Sequence, residues 1–158
     1  MIIRKANTEE FDEIYMMGFA EWSSGASEID YLNDCRNSAK YASGTWFVLS
    51  EGSKLLSSLI VYELAENNFG IGSISTAPQN QKHGYASKLI TGVVSDIEKL
   101  HADCLIFLYS DINAEFYEKF KFIKLPMTKQ RYKNTTCMVY GNDSQNYLLK
   151  NEPAPDYF

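Results

Sequence analysis

The stretch from Phe69 to Leu100 constrains the fold of this chain more than any other feature. Residues 69–76 are typical of a strand, Pro78 ends that strand, and a short loop follows. From Tyr85 onwards the apolar residues repeat with the helical period, which predicts an amphipathic helix to Leu100. A strand that leads through a short loop into a long helix is a basic unit of α/β proteins, so we expect this fold class.

The remaining patterns predict a mixed sheet of six or seven strands, partly antiparallel, flanked by about four helices. We expect helices over residues 7–22, 28–39 and 113–120, and strands over 2–6, 45–50, 55–64, 104–109, 122–125 and 135–140. A length of 158 residues favours one domain over residues 1–158. The tail from about Gly141 is polar, and the sequence leaves open whether it is loose or docks on a partner subunit in a homodimer.

Composition excludes several function classes. The net charge of −5 disfavours a nucleic-acid or anionic-membrane partner. The chain has three cysteines without a C-x-x-C pair, no secretory signal and no long apolar stretch, so we predict a reduced, cytoplasmic protein. His83 and His101 lack metal-ligand spacing, and no G-x-S-x-G elbow indicates a hydrolase.

The loop between the strand and the long helix is suited to an anion. The first amides of a helix have no carbonyl partners, and the helix dipole adds partial positive charge, so a pyrophosphate fits there. Gly84 lets the backbone approach a ligand closely, and Lys82 and His83 are nearby donors. A Walker loop is absent, and Gly70-Ile-Gly72 lies inside a strand, which excludes a dinucleotide fingerprint.

Two segments resemble the GNAT acetyltransferases. Gln81-x-x-Gly84-x-Ala86 resembles the family's Q/R-x-x-G-x-G/A signature in the expected strand–loop–helix context. Residues 105–122, which contain F-Y-E-K at 116–119, resemble the family's closing motif. Two positions depart from the family pattern, because Ser110 stands where asparagine is frequent and Lys121 where glycine is usual. The resemblance covers the element order of the whole chain, but it is specific in residues only from about 69 to 122.

The resemblance implies a sheet splayed between its fourth and fifth strands, with acetyl-CoA as co-substrate in the opening and no metal. The pantetheine arm is then expected to pair with the strand backbone. An amide near its end is expected to polarise the thioester carbonyl. The residues expected to contact the cofactor are Ile74, Ser75, Thr76, Gln81, Lys82, His83, Gly84, Tyr85, Ala86, Ser110 and Asn113.

The resemblance also assigns acid and base roles. Tyr117 occupies the position of the family's tyrosine acid, and a phenol with a pKa of about 10 stays protonated at neutral pH. Many family members carry a glutamate on the strand before the loop, but residues 69–76 contain no carboxylate. The base is therefore either water relayed through Ser73 or Ser75, or Glu63 on the neighbouring strand.

The acceptor is expected to be a primary amine that attacks the thioester directly. In this family the first two helices usually determine acceptor specificity, and here they are acidic. We predict that Glu21, Trp22, Glu28 and Tyr31 line a groove for a small or cationic amine, although such charges also occur on solvated helix faces. The alternatives are a protein N-terminal or lysine acetyltransferase and a non-catalytic acyl-CoA-binding regulatory module.

Overall fold

The computed structural model describes residues 1–158 and contains a seven-stranded mixed sheet in the order β1-β2-β3-β4-β5-β7-β6. The strands β4 and β5 pair in parallel, whereas β1 with β2, β2 with β3, β5 with β7 and β6 with β7 pair antiparallel. The predicted mixed α/β sheet is therefore confirmed. The strands are β1 Ile2–Lys5, β2 Thr45–Glu51, β3 Lys54–Glu63, β4 Phe69–Thr76, β5 Ile106–Ser110, β6 Ile123–Lys124 and β7 Thr136–Tyr140.

Seven α-helices accompany the sheet. After β3, α5 has the predicted bounds, α6 lies within the predicted range 113–120, and α7 was not predicted. None of the seven combines the length and the apolar character that a membrane crossing requires. The helices are α1 Phe11–Met17, α2 Phe19–Trp22, α3 Glu28–Arg36, α4 Ala39–Ser43, α5 Tyr85–Leu100, α6 Glu115–Glu118 and α7 Ser144–Leu149.

The N-terminal region holds four short helices where the sequence predicted two longer ones. The break between α1 and α2 falls at Gly18, and the Trp22 ring lies where a side chain would be, only 2.1 Å from a Cβ atom placed on Gly18. The break between α3 and α4 falls before Ser38, whose hydroxyl accepts a hydrogen bond from the amide of Tyr41 at 3.2 Å. Serine at this position starts a new helix because its side chain satisfies an otherwise unpaired amide.

Residue contacts divide the chain into two compact units, which are described separately. The first unit comprises residues 1–61 and 73–93. Its aromatic centre is formed by Tyr15 and Tyr41, which stack at 5.5 Å between ring centroids, and by Trp46, which meets both rings edge-on. Each fully buried aliphatic side chain around them adds about 1.5–3 kcal/mol. Those with almost no exposed surface are Ile14, Val48, Leu49, Leu59, Ile60, Leu89 and Ile90.

The second unit comprises residues 62–72 and 94–158, with β5 between β4 and β7. Gly141 permits the exit from β7, because it has a φ of 136° and a Cβ atom there would lie 2.5 Å from the carbonyl oxygen of Cys104. The tail beyond it forms α7 and returns over Phe107 and Val139, where Ala154 is fully buried. The tail is therefore packed on its own chain rather than loose. The single domain and the homodimer stay predictions.

An ion pair between Arg4 and Glu10 stabilises the N-terminal turn, and its contribution can be tested. The guanidinium of Arg4 donates two hydrogen bonds to Glu10, at 2.6 and 2.8 Å, and the amide of Asn7 donates a third at 2.8 Å. The Arg4 hydrogen bond is the main reason why the pKa of Glu10 is lowered to about 2. Because the folded pKa lies below the unfolded value of about 4.3, this stabilisation is present above that value and is lost as pH falls towards 2.

We therefore predict that Glu10→Gln lowers the free energy of unfolding by about 1 kcal/mol at neutral pH. The difference from the wild type should shrink as pH falls through the folded pKa of about 2 and should vanish only below it. Urea unfolding across this range measures the effect. The control is Glu9→Gln, since Glu9 is exposed and next in sequence. Equal losses in the two variants would contradict the assignment.

Candidate functional site

The strand β4 changes its backbone geometry at Ser73. Its parallel pairing with β5 runs from Phe69 to Ile71, and Ser73 then adopts a φ of 43°. Side chains other than glycine rarely adopt this left-handed conformation, and a single such residue inside a strand is typical of a bulge. The Ser73 hydroxyl donates to the hydroxyl oxygen of Tyr41 at 3.5 Å. Regular strand geometry is thus interrupted immediately before the residues predicted for the cofactor, 74–76.

Hydroxyl groups of β3 hold the last residues of β4. The Ser57 hydroxyl donates to the carbonyl oxygen of Ser75 at 2.7 Å and accepts from the Thr76 hydroxyl at 3.0 Å. The hydroxyl oxygens of Ser58 and Ser75 lie 3.1 Å apart. Ser57 and Ser58 have no exposed surface, so these bonds form away from water and fix the end of β4. Ile74, the third residue predicted there, is half-buried.

The loop after β4 is closed by its own polar groups. Pro78–Asn80 form one turn of 3₁₀ helix, and the amide of Gln81 donates to the carbonyl of Pro78 at 3.3 Å. The side-chain amide of Gln81 donates to the carbonyl oxygen of Thr76 at 3.3 Å. Gln81 therefore ties the loop to the end of β4, a structural role that the sequence motif alone did not indicate.

The residues between Gln81 and α5 form a concave backbone suited to an anion. Lys82 and Gly84 have positive φ values of 63° and 77°, and no atom lies within 4 Å of a Cβ atom placed on Gly84. Gly84 also begins α5, since its carbonyl accepts from the amide of Lys88 at 3.0 Å. No backbone carbonyl accepts from the amides of residues 84–87. Successive amides in such a loop at a helix N-terminus are an established anion-binding geometry.

Two aromatic side chains border this loop. The Nδ1 atom of His83 lies 2.7 Å from the carbonyl oxygen of Gln81, and its ring stacks on Tyr85 at 5.5 Å. The stack holds His83 and Tyr85 beside the unpaired amides, whereas Lys82 extends into solvent. Ala86, in the first turn of α5, adds no bulk beyond a methyl group.

In the second unit, Tyr117 lies in α6 and is only 7% exposed. Burial is the main cause that raises its pKa to about 12, and the charge of Asp111 raises it further. Its hydroxyl makes no hydrogen bond within the chain, and Phe116 packs against its ring edge-on at 5.0 Å. A phenol in this environment is fully protonated at neutral pH, and its proton is not engaged by another residue.

The side chains of Ser110 and Asn113 serve the turn before α6. The buried Ser110 hydroxyl donates to the carbonyl oxygen of Ile112 at 2.8 Å. The Asn113 carbonyl oxygen accepts from the amide of Glu115 at 3.0 Å, and its amide group donates to the Glu115 carboxylate at 3.2 Å. Both side chains therefore shape the entry to α6, and each retains only part of its hydrogen-bonding capacity for a cofactor.

The residues predicted to line an acceptor groove differ in accessibility. Glu21 and Glu28 are exposed and Trp22 is 41% exposed, so these side chains can contact a ligand. Tyr31 cannot line a groove as predicted, because it is buried and its hydroxyl donates to the carbonyl oxygen of Tyr15 at 3.1 Å. The reason is its position on the face of α3 that packs on α1. Glu63, the candidate base, is the exposed last residue of β3.

Sequence reasoning missed four polar residues of these regions. Ser57 and Ser58 carry a signal, since two serines interrupt an apolar strand and a buried hydroxyl needs a partner. Tyr41 and Asp111 carry none, because their importance depends on neighbours that are remote in sequence. The chain has no group of three or more His, Cys, Asp or Glu side chains that could hold a metal ion.

Comparisons with known proteins agree with this arrangement. The model of the acetyltransferase (GNAT) family matches residues 8–122. A search of curated protein sequences gives no significant match. Among solved structures, a GNAT family acetyltransferase from Brucella melitensis in complex with acetyl-CoA has a TM-score of 0.64 at 17% identity, over 99% of this chain and 95% of its own.

Two further structures have the same fold. Aminoglycoside 6′-acetyltransferase type Ii has a TM-score of 0.65 at 13% identity, over 89% of this chain and 97% of its own. The ribosomal-protein-S18-alanine N-acetyltransferase from Escherichia coli has a TM-score of 0.62 at 15% identity, over 87% of this chain and 90% of its own. The TM-scores, rather than the low identities, show the shared fold.

The sheet order, with a loop of unpaired amides between β4 and α5, defines an α/β protein with a backbone suited to an anion. The family model matches most of the chain, so the chain belongs to the GNAT acetyltransferase family. The resemblance stated from the sequence is thereby confirmed, as is the assignment to the acyltransferases.

The hydrogen bonds between the Ser57 hydroxyl and the end of β4 predict a loss of stability when this hydroxyl is removed. Ser57→Ala removes the donor to Ser75 and the acceptor of the half-buried Thr76 hydroxyl, so with two hydrogen bonds lost we expect a loss of about 1–3 kcal/mol in the free energy of unfolding. Urea unfolding measures this loss. Ser53→Ala is the control, because Ser53 is exposed in the hairpin turn between β2 and β3. A loss no larger than that of the control would show that these hydroxyl bonds do not stabilise β4.

Proposed function

We propose that this acetyltransferase moves the acetyl group of acetyl-CoA to a primary amine by direct attack of the amine. The observation that carries the proposal is the loop of residues 81–86, with left-handed backbone at Lys82 and Gly84 and unpaired amides at the start of α5. The diphosphate of coenzyme A is the matching anion. The acetyl-CoA complex of the structurally similar Brucella enzyme supports this choice of co-substrate.

Each part of the cofactor has a proposed partner. The amides of residues 84–87 and the side chains of Lys82 and His83 bind the diphosphate. The backbone of residues 74–76 pairs with the pantetheine arm as an added strand. The bulge at Ser73 supports this role, because it ends the regular strand geometry just before these residues. An amide near Thr76 polarises the thioester carbonyl and stabilises the oxyanion as it forms.

The chemical step requires one proton to leave the amine and one to reach the sulfur. The neutral amine attacks the carbonyl carbon, the carbon–sulfur bond breaks, and coenzyme A leaves as a thiolate. Tyr117 is the proposed donor to this thiolate. Transfer from a pKa of about 12 to a free thiol's pKa of about 8.5 is uphill by about 5 kcal/mol. Desolvation offsets part of this cost, since it raises the proton affinity of the thiolate as well.

The proton of the attacking amine has two proposed acceptors. One is water relayed through Ser73 or Ser75, supported by the contacts of these hydroxyls with Tyr41 and Ser58. The other is Glu63, whose carboxylate is exposed at the end of β3. Both routes deliver the proton to solvent.

The proposed acceptor is a small or cationic amine. The exposed acidic side chains Glu21 and Glu28, with the ring of Trp22 near them in the sequence, support a cationic ligand. The similar solved structures include one enzyme named for an aminoglycoside and one named for a ribosomal-protein alanine, so the fold itself is compatible with either class of acceptor.

The cofactor assignment predicts a specific stabilisation by acetyl-CoA. Ligand at 100 times its Kd adds about 2.7 kcal/mol, which raises Tm by several degrees at about 2–4 °C per kcal/mol. Gly84→Ala and Gly25→Ala place a Cβ atom on left-handed backbone with open surroundings, so each should cost roughly 1–2 kcal/mol. Only Gly84→Ala should also reduce the shift by acetyl-CoA. An equal response to ATP, or equal ligand shifts in both variants, would reject the loop as the cofactor site.

The acid assignment predicts a change in turnover without a change in cofactor affinity. Tyr117→Phe keeps the buried ring and removes the proton donor, so kcat for thiol release should fall by about 10²–10⁴-fold. The Kd for acetyl-CoA should be unchanged. Tyr140→Phe is the control, because Tyr140 is a half-buried tyrosine of the same unit that has no proposed role in binding or transfer. Wild-type turnover in Tyr117→Phe would remove Tyr117 from the mechanism, and absence of thiol release by the wild type with every amine tested would favour a regulatory module.

A further inference from the structure

The C-terminal segment (residues 150–158) is held in place by side chains of the second unit. Four side chains donate hydrogen bonds to its backbone carbonyls, and the most buried of the four, Tyr147 and Lys129, are 5% and 7% exposed. The donors are Lys129 to Lys150 and Glu152, Arg131 to Ala154, Tyr109 to Pro155, and Tyr147 to Pro153. Because each bond is a specific contact with the backbone, the path of this segment is defined by the fold.

The segment brings Tyr157 next to Asp111. The Tyr157 hydroxyl donates to the Asp111 carboxylate at 3.4 Å. The Tyr157 ring lies 5.0 Å from that of Tyr109 and 5.9 Å from that of Tyr132. Tyr132 and Tyr157 remain 40% and 46% exposed, so their rings are accessible to a ligand although they contact one another.

The C-terminal segment also explains why glycine occurs at position 70, inside β4, where the sequence analysis assigned it no role. The Phe158 ring packs on β4, and a Cβ atom on Gly70 would lie 2.6 Å from that ring. The same ring contacts Tyr62 and Tyr109, at 5.7 and 5.5 Å between centroids. Glycine is therefore required where the segment crosses β4, one residue before the parallel pairing with β5 ends.

Asp111 has an unneutralised charge near the proposed acid. Its negative charge contributes to the raised pKa of Tyr117, so the two groups are close in space. Asp111 is exposed and takes part in none of the ion pairs of the chain. An exposed carboxylate without a cation of its own, next to the exposed ring of Tyr157, is a suitable site for a ligand cation.

The chemistry of the acceptor determines which nitrogen can occupy this site. Alkyl amines have pKa values near 10.4 and are cations at neutral pH, but the attacking nitrogen must be neutral. A carboxylate that holds an ammonium group raises its pKa and keeps it protonated. Asp111 is therefore unsuited to hold the attacking nitrogen and suited to hold a second, non-reacting ammonium of the same molecule.

We propose that Asp111, with the rings of Tyr132 and Tyr157, forms a subsite for the second cationic group of a diamine-type acceptor. The C-terminal segment supplies Tyr157 and so completes the subsite. The proposal deepens the proposed function and, as a statement about acceptors, rests on it, but binding of the cation can be measured without acetyl transfer.

The test is an NMR titration with 1,5-diaminopentane that follows the ring resonances of Tyr132 and Tyr157, without acetyl-CoA. The wild type should bind the diamine and should not bind 1,5-pentanediol, which has the same chain without charge. Asp111→Asn should weaken diamine binding about fivefold. Asp103→Asn is the matched control, since Asp103 is an equally exposed aspartate of the second unit. Tyr157→Leu should weaken binding about two- to fivefold through loss of the ring.

The outcomes separate this proposal from the proposed function. If the wild type does not bind the diamine, binds the diol equally well, or retains its affinity in Asp111→Asn, the subsite is wrong. If Asp111→Asn alone of the two aspartate variants loses affinity, the subsite stands, whether or not transfer is seen. Where the wild type acetylates amines, Asp111→Asn should raise KM about fivefold for 1,5-diaminopentane and leave KM for pentylamine unchanged.

Discussion

The unpaired amides at the start of α5 are the constraint on which the rest of this structure depends. A helix cannot satisfy its first amides internally, and here no side chain of the chain caps residues 84–87. The surrounding sequence keeps these amides available for a ligand. Ser57 fixes the end of β4, Gln81 ties the loop to Thr76, and Gly84 permits the left-handed turn. The geometry of this loop is therefore a property of the backbone that a few side chains maintain.

The sequence predicted the bounds of β4 and α5 because their signals are local. A change from period two to period 3.6, with Pro78 between the two segments, leaves few alternatives. The helices predicted over residues 7–22 and 28–39 were split, because the local packing of the Trp22 ring on Gly18 and a cap at Ser38 override a periodic pattern. The docking of the tail from residue 141 could not be predicted either. Most of its residues are polar, and only a few side chains, such as Phe158, attach it to the second unit.

Within the candidate site, too, features with a local sequence signal were predicted and features that depend on remote contacts were not. The loop was predictable because its function requires glycine and unpaired amides at fixed positions. The supporting side chains were not, because Ser57 and Tyr41 acquire their roles only when β3 and α4 come close to β4. Tyr31 shows the opposite error, since an aromatic residue in an acidic helix can face either solvent or the core. Sequence patterns thus identify groups that act through the backbone better than groups that act through contacts between remote side chains.

The difference between backbone groups and side-chain groups also explains how one fold can serve different acceptors. Backbone amides bind a diphosphate whatever the side chains are, so a loop of this kind tolerates changes in the surrounding sequence. An acceptor amine, in contrast, must be held by side chains, since its charge and shape differ between a small molecule and a peptide. In this chain the accessible groups with that capacity include the acidic residues of α2 and α3 and the carboxylate of Asp111 beside the exposed ring of Tyr157. A carboxylate attracts an ammonium but also keeps it protonated, so a molecule with two amines offers one protonated nitrogen to the carboxylate and one nitrogen free to attack.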